Sequence, residues 1–306
     1  MLLLSLPISA NAHSGGRVYP IPELTGEMLE QIRLDDGSVD EWYDLIGEPA
    51  MTLLDFKGGG VESPDPSDLD FRIWLAWHED PARFYVAFIA SDDQYQNTHD
   101  YSVDWWTSIR DHMGANDSIV LAIDGDHSGG GGAVNSTTLE EWETLLGQTQ
   151  VYQAIARTAG GPNLDDSATR HQTEALAWTA LPPWGESGGA AAGENPTISV
   201  IELYVTPFDR WEGFHMPGEI LPSDLTARQV IGFGISVVEV DFEEDGGSLY
   251  WIPEAMSDGK DADRAIDKIR ADVFLDGLLL SADAEPEGTA VESVSWGRIK
   301  AALEME

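Results

Sequence analysis

Residues 71–88 read FRIWLAWHEDPARFYVAF, in which two apolar, aromatic-rich runs stand on either side of a short polar segment. The runs Phe71–Trp77 and Phe84–Phe88 consist largely of the bulky and β-branched residues that strands favour. The residues between them, His78–Ala82, have the length of a hairpin loop. This part of the chain therefore predicts two neighbouring antiparallel strands.

The rest of the chain repeats this pattern of short apolar runs between Gly, Pro, Asn and Asp clusters. Further predicted strands are Gln31–Leu34, Met51–Phe56, Ser118–Asp124, Gln148–Ala156, Glu174–Thr179, Thr197–Val205, Val230–Val240 and Asp272–Leu280. Helical pattern is limited to Thr137–Leu146 and one turn at Pro207–Trp211. Gly129–Gly132 and Gly185–Gly193 have the composition of flexible loops. About ten strands, with one or two short helices in loop insertions, predict an all-β fold: a jelly-roll-like antiparallel β-sandwich.

The chain has 306 residues, with 16 Lys and Arg against 55 Asp and Glu, so its formal net charge at pH 7 is −39. A nucleic acid or an anionic membrane surface has to be met by basic residues, and this balance excludes both as partners. With 42% hydrophobic residues and 11 Trp, the chain can still bury a sizeable core. The acid excess is typical of a protein kept soluble in salty surroundings, as in halophiles, and equally of an acidic secreted protein.

The N-terminal residues Met1–Ala12 read MLLLSLPISANA, an apolar run that ends in a small-x-small cleavage signature. This pattern predicts a signal peptide and a secreted, periplasmic or cell-surface location; the alternative is an apolar N-terminal strand. The run is too short to span a membrane, and no later segment is long and apolar enough, so we expect no membrane insertion. We expect a single domain over residues 13–281, followed by a linker and C-terminal tail over 282–306.

The order of the motifs resembles that of family 9 carbohydrate-binding modules and their DOMON-like relatives. The segment Ile32–Trp42 is similar to the opening of those domains, where an "I-x-x-D-G-x-x-x-D/E-W" pattern leads into the first strands. The segments that continue the resemblance are Phe71–Asp93, Asn116–Asp126, Ile201–Val205, Val230–Val240 and Phe274–Leu278. The resemblance implies a non-catalytic β-sandwich, often bound to calcium, that recognises a poly- or oligosaccharide through aromatic side chains.

Aspartates are concentrated at the predicted strand ends and turns, where hard oxygen ligands can converge on Ca²⁺. The candidate metal ligands are Asp92, Asp93, Asp117, Asp124 and Asp126. Bringing such like charges together costs free energy unless a cation or hydrogen bonds offset it. The segment after Asp124 is no EF-hand loop, because the position of the final glutamate is occupied by Asn135.

Tryptophans in loops are the candidate sugar contacts, because a pyranose ring packs its C–H groups on an aromatic face. Those in regular runs, Trp42, Trp74, Trp77 and Trp178, are predicted to lie in the core. The candidate ligand-binding residues are Trp105, Trp106, Trp184, Trp211 and Trp251, with Arg110 as a polar partner.

Catalysis has little support in the sequence, and we expect a protein that is not an enzyme. Cysteine is absent, and the seven histidines show no metal-binding spacing. Two alternatives to sugar binding stay open. One is a structural or interaction domain at the cell surface, with a partner enzyme or another cell-surface component. The other is a haem-binding electron-transfer domain of the DOMON-like type, for which Met113, His215 and Met216 are the candidate ligands.

Overall fold

The computed structural model describes residues 17–58, 65–97, 116–128, 150–156, 168–171, 178–211, 219–240, 248–251 and 274–284. In chain order the strands are β1 Val18–Pro22, β2 Met51–Thr52, β3 Lys57–Gly58, β4 Leu69–His78, β5 Arg83–Asp92, β6 Ser118–Asp124, β7 Gln150–Ile155, β8 Ala168–His171, β9 Gly185–Ala192, β10 Thr197–Val205, β11 Phe208–Trp211, β12 Ile220–Pro222, β13 Val230–Glu239, β14 Ser248–Trp251 and β15 Leu275–Leu280. The helices are α1 Gly26–Leu29 and α2 Asp40–Ile46, and a 3₁₀ turn covers Leu53–Asp55. The predicted all-β sandwich is confirmed.

Two sheets form the sandwich. The smaller has the strand order β2-β4-β5-β10-β9. The larger has the order β1-β15-β13-β6-β7-β8, with β14 beside β13 and β3 beside β14. β1 pairs in parallel with β15, whereas β4 and β5 form the predicted antiparallel hairpin. After β10, the strands β11 and β12 pair with each other and form a separate two-stranded antiparallel sheet.

The core lies between the two sheets and is built from alternate residues of each strand. In β4 and β5 the inward positions include Phe71, Leu75, Trp77 and Phe88, all buried. The facing positions of β6 and β13 carry Ile119, Leu121, Phe233 and Ile235. Every second side chain of a strand points to the same face, so this register commits one complete face of each sheet to the interior.

The outer face of the smaller sheet is covered as well, by the segment that contains α1 and α2. Within α2 and its start, Val39, Trp42 and Ile46 recur at three- and four-residue spacing and pack against the outward residues Trp74 and Tyr85. The acidic residues in the first turn, Asp40 and Glu41, stabilise α2 because negative charge interacts favourably with the N-terminal end of the helix dipole. Burial on both faces explains why β4 and β5 are apolar at almost every position.

The tryptophans predicted to lie in the core, Trp42, Trp74, Trp77 and Trp178, are all buried. The two short helices α1 and α2 were not predicted from the sequence. Gln31–Leu34 is not a strand but part of the connection between α1 and α2. Pro207–Trp211 is not a helical turn, because Phe208–Trp211 pairs with β12. The predicted helix Thr137–Leu146 lies outside the described residues, as do the predicted signal peptide and residues 285–306 of the tail.

The glycine-rich segment Gly185–Gly193, predicted to be a loop, forms the edge strand β9 up to Ala192. Its composition serves close packing rather than flexibility. A Cβ atom on Gly188 would lie 1.6 Å from the carbonyl oxygen of Leu34 and 2.8 Å from the Cα of Asp35. The covering segment therefore lies directly on the backbone of β9.

We expect Gly188→Ala to lower the free energy of unfolding by about 1–3 kcal/mol, because the added methyl group meets backbone that cannot turn away. The matched control is Gly26→Ala, at the exposed start of α1, where an added Cβ has nothing within 4 Å. This control should be neutral or stabilise the fold by up to about 1 kcal/mol. Urea unfolding of both variants checks the prediction, and equal midpoints would contradict the packing of residues 34–35 on β9.

Candidate functional site

The predicted metal ligands fall into two groups at opposite ends of β6. Asp117 precedes the first residue of the strand and Asp124 is its last residue. Seven strand residues at about 3.3 Å each separate the two groups by roughly 20 Å. Asp92 belongs to the end with Asp117, whereas Asp126 belongs to the end with Asp124. The five aspartates therefore do not converge on one ion.

At the Asp117 end, three buried carboxyl groups close the core, and we call them the inner carboxylate group: Asp92, Asp117 and Glu239. Asp92 continues the inward row of β5 after Phe88 and Ala90. The pairing of Val238 with Ser118 places Glu239 opposite Asp117. Glu239 comes two residues after the inward Val237, and Asp117 comes two residues before the inward Ile119. Strand alternation thus aims all three carboxyl groups at the same space between the sheets.

Asp117 joins three chain segments through its hydrogen bonds. Its Oδ2 accepts the backbone N–H of Gln96, and its Oδ1 accepts that of Val240 at 2.6 Å. Burial raises the pKa of Asp117 to about 8, and the nearby charges of Asp92 and Glu239 act in the same direction, while the two N–H donors act against them. The side chain is therefore held in a geometry suited to a carboxylate, in surroundings that oppose its ionisation.

A cavity of about 10 Å³ adjoins this group and is lined in part by Asp92, Asp117, Ser118 and Ser199. This volume is enough for about one water-sized occupant. Asp93 lies just beyond β5, and one of its carboxylate oxygens is buried with no hydrogen-bond partner among the described residues. The polar side chains of the lining carry oxygen atoms, the ligand type of a hard cation, whereas the rest of the lining is apolar.

At the opposite end, the chain turns after β6 through Asp124–Ser128. The backbone N–H of Ser128 donates to Asp126 at 3.0 Å and to Asp124 at 3.3 Å. Asp124 is buried and Asp126 is exposed. The His127 ring lies 3.0 Å from the carboxylate of Asp276 in β15, which is separated from β6 by β13. Hydrogen bonds within the turn thus account for much of the geometry of these aspartates.

The same end carries a cluster of three aromatic residues, Trp178, Trp184 and Phe208, which we call the aromatic cluster. The ring centroids lie 6.3 Å apart for the two tryptophans and 5.5 Å apart for Trp184 and Phe208. Trp178 is buried, whereas Trp184 is partly exposed. Trp184 is held by a turn in which its N–H donates to the Leu181 carbonyl at 2.9 Å. The indole ring of Trp184 is therefore partly exposed to solvent and held in place by its contacts with Trp178 and Phe208.

Exposed apolar residues surround the aromatic cluster. Leu181 is 58% exposed, and Pro182 and Pro183 after it are also exposed. On the β11–β12 hairpin, Pro222 pairs with Phe208 of the cluster, and Leu221 beside it is 55% exposed. Exposed apolar surface of this kind, edged by polar residues, is typical of a ligand-binding site.

Carboxyl groups border the aromatic cluster. Burial raises the pKa of Asp209, which follows Phe208 in β11, and the charges of Asp126 and Asp224 act in the same direction. Asp126 and Asp224 are exposed, as is Arg210. Hydrogen-bonding groups beside an aromatic ring are the combination that sugar recognition requires.

Gln150 holds the aromatic cluster in position, and no sequence pattern marked it as a candidate. This buried side chain donates to the Thr206 carbonyl at 3.0 Å and accepts the N–H of Phe208 at 2.8 Å. It also bonds the Tyr152 hydroxyl at 2.6 Å. Glu239 was likewise missed, because a glutamate at the end of an apolar run looks like a solvated strand end.

The remaining sequence candidates are only partly described. Trp105, Trp106 and Arg110 lie in residues 98–115, outside the described part of the chain, but the flanking residues Asn97 and Asn116 lie beside the inner carboxylate group. Trp211 and Trp251 lie in β11 and β14. The candidate haem ligands Met113, His215 and Met216 are outside the described residues. Among the described candidates, Trp184 and Trp211 share one end of the sandwich.

A second concave surface is an apolar groove of about 420 Å³ between the ends of β1, α2 and β15. Its walls are mainly proline and aliphatic side chains, with Trp74 also in the lining and Glu23 and Glu48 among the polar residues. The exposed ring of Tyr43 packs edge-on against Trp74 at 4.7 Å. No helix in the described ranges has the length and apolar character needed to cross a membrane.

No protein-family model matches the chain, and no curated protein matches it in sequence. Among solved structures, the chain is similar to a family 9 carbohydrate-binding module from Caldicellulosiruptor kristjanssonii in complex with cellotriose. The TM-score is 0.50 at 9% identity, covering 88% of this chain and 98% of that one. A family 9 module from the same organism in complex with glucose gives a TM-score of 0.48 at 10% identity, covering 88% and 100%. The fold predicted from the motif order, that of family 9 modules, is therefore confirmed.

We expect Gln150→Leu to lower the free energy of unfolding by about 1–3 kcal/mol, because the Thr206 carbonyl and the Phe208 N–H would be left buried without their partner. Gln31→Leu is the control, since the Gln31 side chain makes its hydrogen bond at an exposed site. Denaturant unfolding followed by tryptophan fluorescence gives both values. A Gln150→Leu variant as stable as the control would show that Gln150 does not hold β11 in place.

Proposed function

We propose that this protein is a non-catalytic carbohydrate-binding module for neutral oligosaccharides. The observation that carries the proposal is the likeness of its fold, over 88% of the chain, to a family 9 module in complex with cellotriose. The exposed aromatic and apolar surface at one end of the sandwich supports the same function. A net charge of −39 favours a neutral ligand, because an anionic polysaccharide would be repelled.

We place the sugar contact at the aromatic cluster. The partly exposed Trp184 ring is supported by Trp178 and Phe208, so little conformational freedom is lost when a ligand packs on it. The neighbouring Arg210, Asp209 and Asp224 supply donors and acceptors for hydroxyl groups. Trp211, Trp105, Trp106, Trp251 and Arg110 stay candidates for further contacts.

We expect Trp184→Ala to weaken binding of cello-oligosaccharides at least about tenfold, which corresponds to about 1.4 kcal/mol of lost binding free energy. Isothermal titration calorimetry measures the affinity, with a polyanionic glycan as a ligand that should not bind. Tyr43→Ala is the control, because Tyr43 is an exposed aromatic residue 41% accessible to solvent that packs beside the apolar groove.

Three results would count against this placement or this function. Loss of binding in Tyr43→Ala alone would move the site to the groove. Loss in Trp105→Ala or Trp106→Ala, with Trp184→Ala unaffected, would assign the sugar contact to the segment 98–115 instead. Absence of binding to any glycan on an array, with and without a chelator, would overturn the function itself and favour an interaction domain.

We further propose that Ca²⁺ binds at the inner carboxylate group, with Asp92 and Asp117 among its ligands. The support is the burial of three carboxyl groups at this end of the core and the small cavity that Asp92 and Asp117 line. A cation there would let Asp117 ionise while both of its oxygens keep their backbone N–H donors. Its role would be structural, since it would join the ends of β5, β6 and β13.

We expect Asp117→Asn to lower the number of Ca²⁺ ions bound per chain by one and to lose the corresponding rise in melting temperature. Asp126→Asn, at the exposed turn beyond β6, should keep both. Calorimetric titration and thermal unfolding with and without chelator, at matched ionic strength, measure the two effects. Loss of Ca²⁺ in Asp126→Asn instead would place the ion at the other end of β6.

Export and a partner complete the proposal. A module that binds an extracellular glycan has to act outside the membrane. Export through the predicted signal peptide, Met1–Ala12, and an acidic coat that keeps the domain dispersed are consistent with that location. The partner would be an enzyme acting on the same glycan or a component of the cell surface.

A further inference from the structure

A separate set of carboxylates lies on the outer face of the smaller sheet, away from both ends of β6. Asp36, Glu41 and Glu202 each place an oxygen within 4.8 Å of those of the other two. We call them the outer carboxylate group. Asp36 and Glu41 belong to the segment that covers the sheet, whereas Glu202 stands in β10. The group therefore bridges the covering layer and the sheet.

Glu202 is fully buried, at 0% exposure, in the middle of the sheet. It pairs with Ala87 of β5 on one side and with Gly188 of β9 on the other. Its Oε1 accepts a 2.6 Å hydrogen bond from the indole N–H of Trp42. Its Oε2 is buried and has no hydrogen-bond partner among the described residues. An unsatisfied carboxylate oxygen in the protein interior is costly unless something neutralises it.

The charges around Glu202 do not neutralise it. Burial raises its pKa to about 9, and the charges of Glu41, Asp36 and Asp35 act in the same direction, while the Trp42 hydrogen bond acts against them. Burial also raises the pKa of Glu41, to which Asp36 adds. Either Glu202 holds a proton or a cation occupies the space between the carboxylates.

The geometry of the group matches a Ca²⁺ ion. Ca–O distances are about 2.3–2.6 Å, so two ligands on opposite sides of an ion are up to about 5 Å apart. The 4.8 Å limit among the three carboxylates lies within that span. The covering segment fixes its own carboxylates: Asp36 accepts the N–H of Ser38 at 2.9 Å, and Glu41 accepts that of Arg33 at 3.2 Å. The exposed side chain of Asp36 leaves a path for an ion from solvent.

We propose that Asp36, Glu41 and the buried Oε2 of Glu202 bind one Ca²⁺ ion, which fastens the segment 34–42 to the outer face of the sheet. The Leu34 carbonyl is packed against Gly188, the neighbour of Glu202 across the sheet, so the segment already lies where the ion would hold it. The site is independent of sugar binding and of the inner carboxylate group. Its effect is on the stability of the covering layer.

The decisive variant is Glu202→Gln, which keeps an acceptor for the Trp42 indole and removes the negative charge. Calorimetric titration with CaCl₂ after chelator treatment should show one fewer bound ion than the wild-type protein. Thermal unfolding should lose one calcium-dependent rise in melting temperature. NaCl at matched ionic strength separates binding from general screening, which alone stabilises a chain of this charge.

Two further variants make the result specific. Asp36→Asn and Glu41→Gln change more accessible side chains, and each should weaken the same calcium equivalent about tenfold while leaving the fold intact. They carry the test if Glu202→Gln does not fold. Asp117→Asn, at the inner carboxylate group, should still bind the Ca²⁺ ion of the outer carboxylate group. Loss of one calcium site can therefore be distinguished from loss of the other.

A proton in place of the ion gives opposite results. Glu202→Gln would then bind as many Ca²⁺ ions as the wild type, and its melting temperature in chelator would be unchanged or higher. That outcome overturns the proposal. So does an equal response of wild type and Glu202→Gln to CaCl₂ and to NaCl of the same ionic strength.

Discussion

Burial of the β4–β5 hairpin on both faces is the constraint on which the other elements depend. Its inward side chains, such as Leu75 and Trp77, meet the larger sheet, and its outward ones, such as Trp74 and Tyr85, need a second cover. Full burial of one large apolar side chain contributes about 1.5–3 kcal/mol, so leaving the outer face in water would forfeit several times that amount. The segment with α1 and α2 supplies this cover, and the glycines of β9 let it come close.

Carboxyl groups occur where these apolar layers end. The inward-facing side chains of three strands are apolar until the strand ends, where Asp92, Asp117 and Glu239 are reached. At this end, the core is therefore bounded by buried carboxyl groups rather than by apolar side chains. The outer layer contains Glu202 beneath Trp42 in the same way. Hydrogen bonds from backbone N–H groups and an indole satisfy part of this charge. The rest requires protons or cations, because the chain has only 16 basic residues to distribute.

The sequence predicts most of the strands because two-sided burial leaves strong apolar runs. The hairpin, β6, β10, β13 and β15 lie where the runs are, and the order of the motifs predicts the family 9 type of fold. The helices were missed because α1 and α2 span only four and seven residues, too few for a periodic pattern. The Gly185–Gly193 prediction was wrong because composition does not distinguish a mobile loop from an edge strand on which another segment packs.

The sequence offers aspartates at strand ends and tryptophans in loops as site candidates, and these stay predictions. A linear sequence does not state which end of a strand meets which loop, so it could not group them in space. The separation of Asp117 from Asp124 follows from the predicted strand Ser118–Asp124, which is β6 in the structure. Gln150, Glu239 and Glu202 gave no signal, because a polar residue within an apolar run shows its role only through the partner that it meets across the sheets.

The acid excess and the choice of a neutral ligand have one physical origin. A surface of net charge −39 raises the local concentration of cations and lowers that of anions. Divalent cations would therefore be drawn toward the buried carboxylates of the two proposed calcium sites, and anionic glycans would be kept away. The proposed neutral sugar would be unaffected by this field and would gain its affinity from contact with an aromatic ring and from hydrogen bonds. The charge is thus consistent with both proposals, the calcium sites and the neutral glycan ligand.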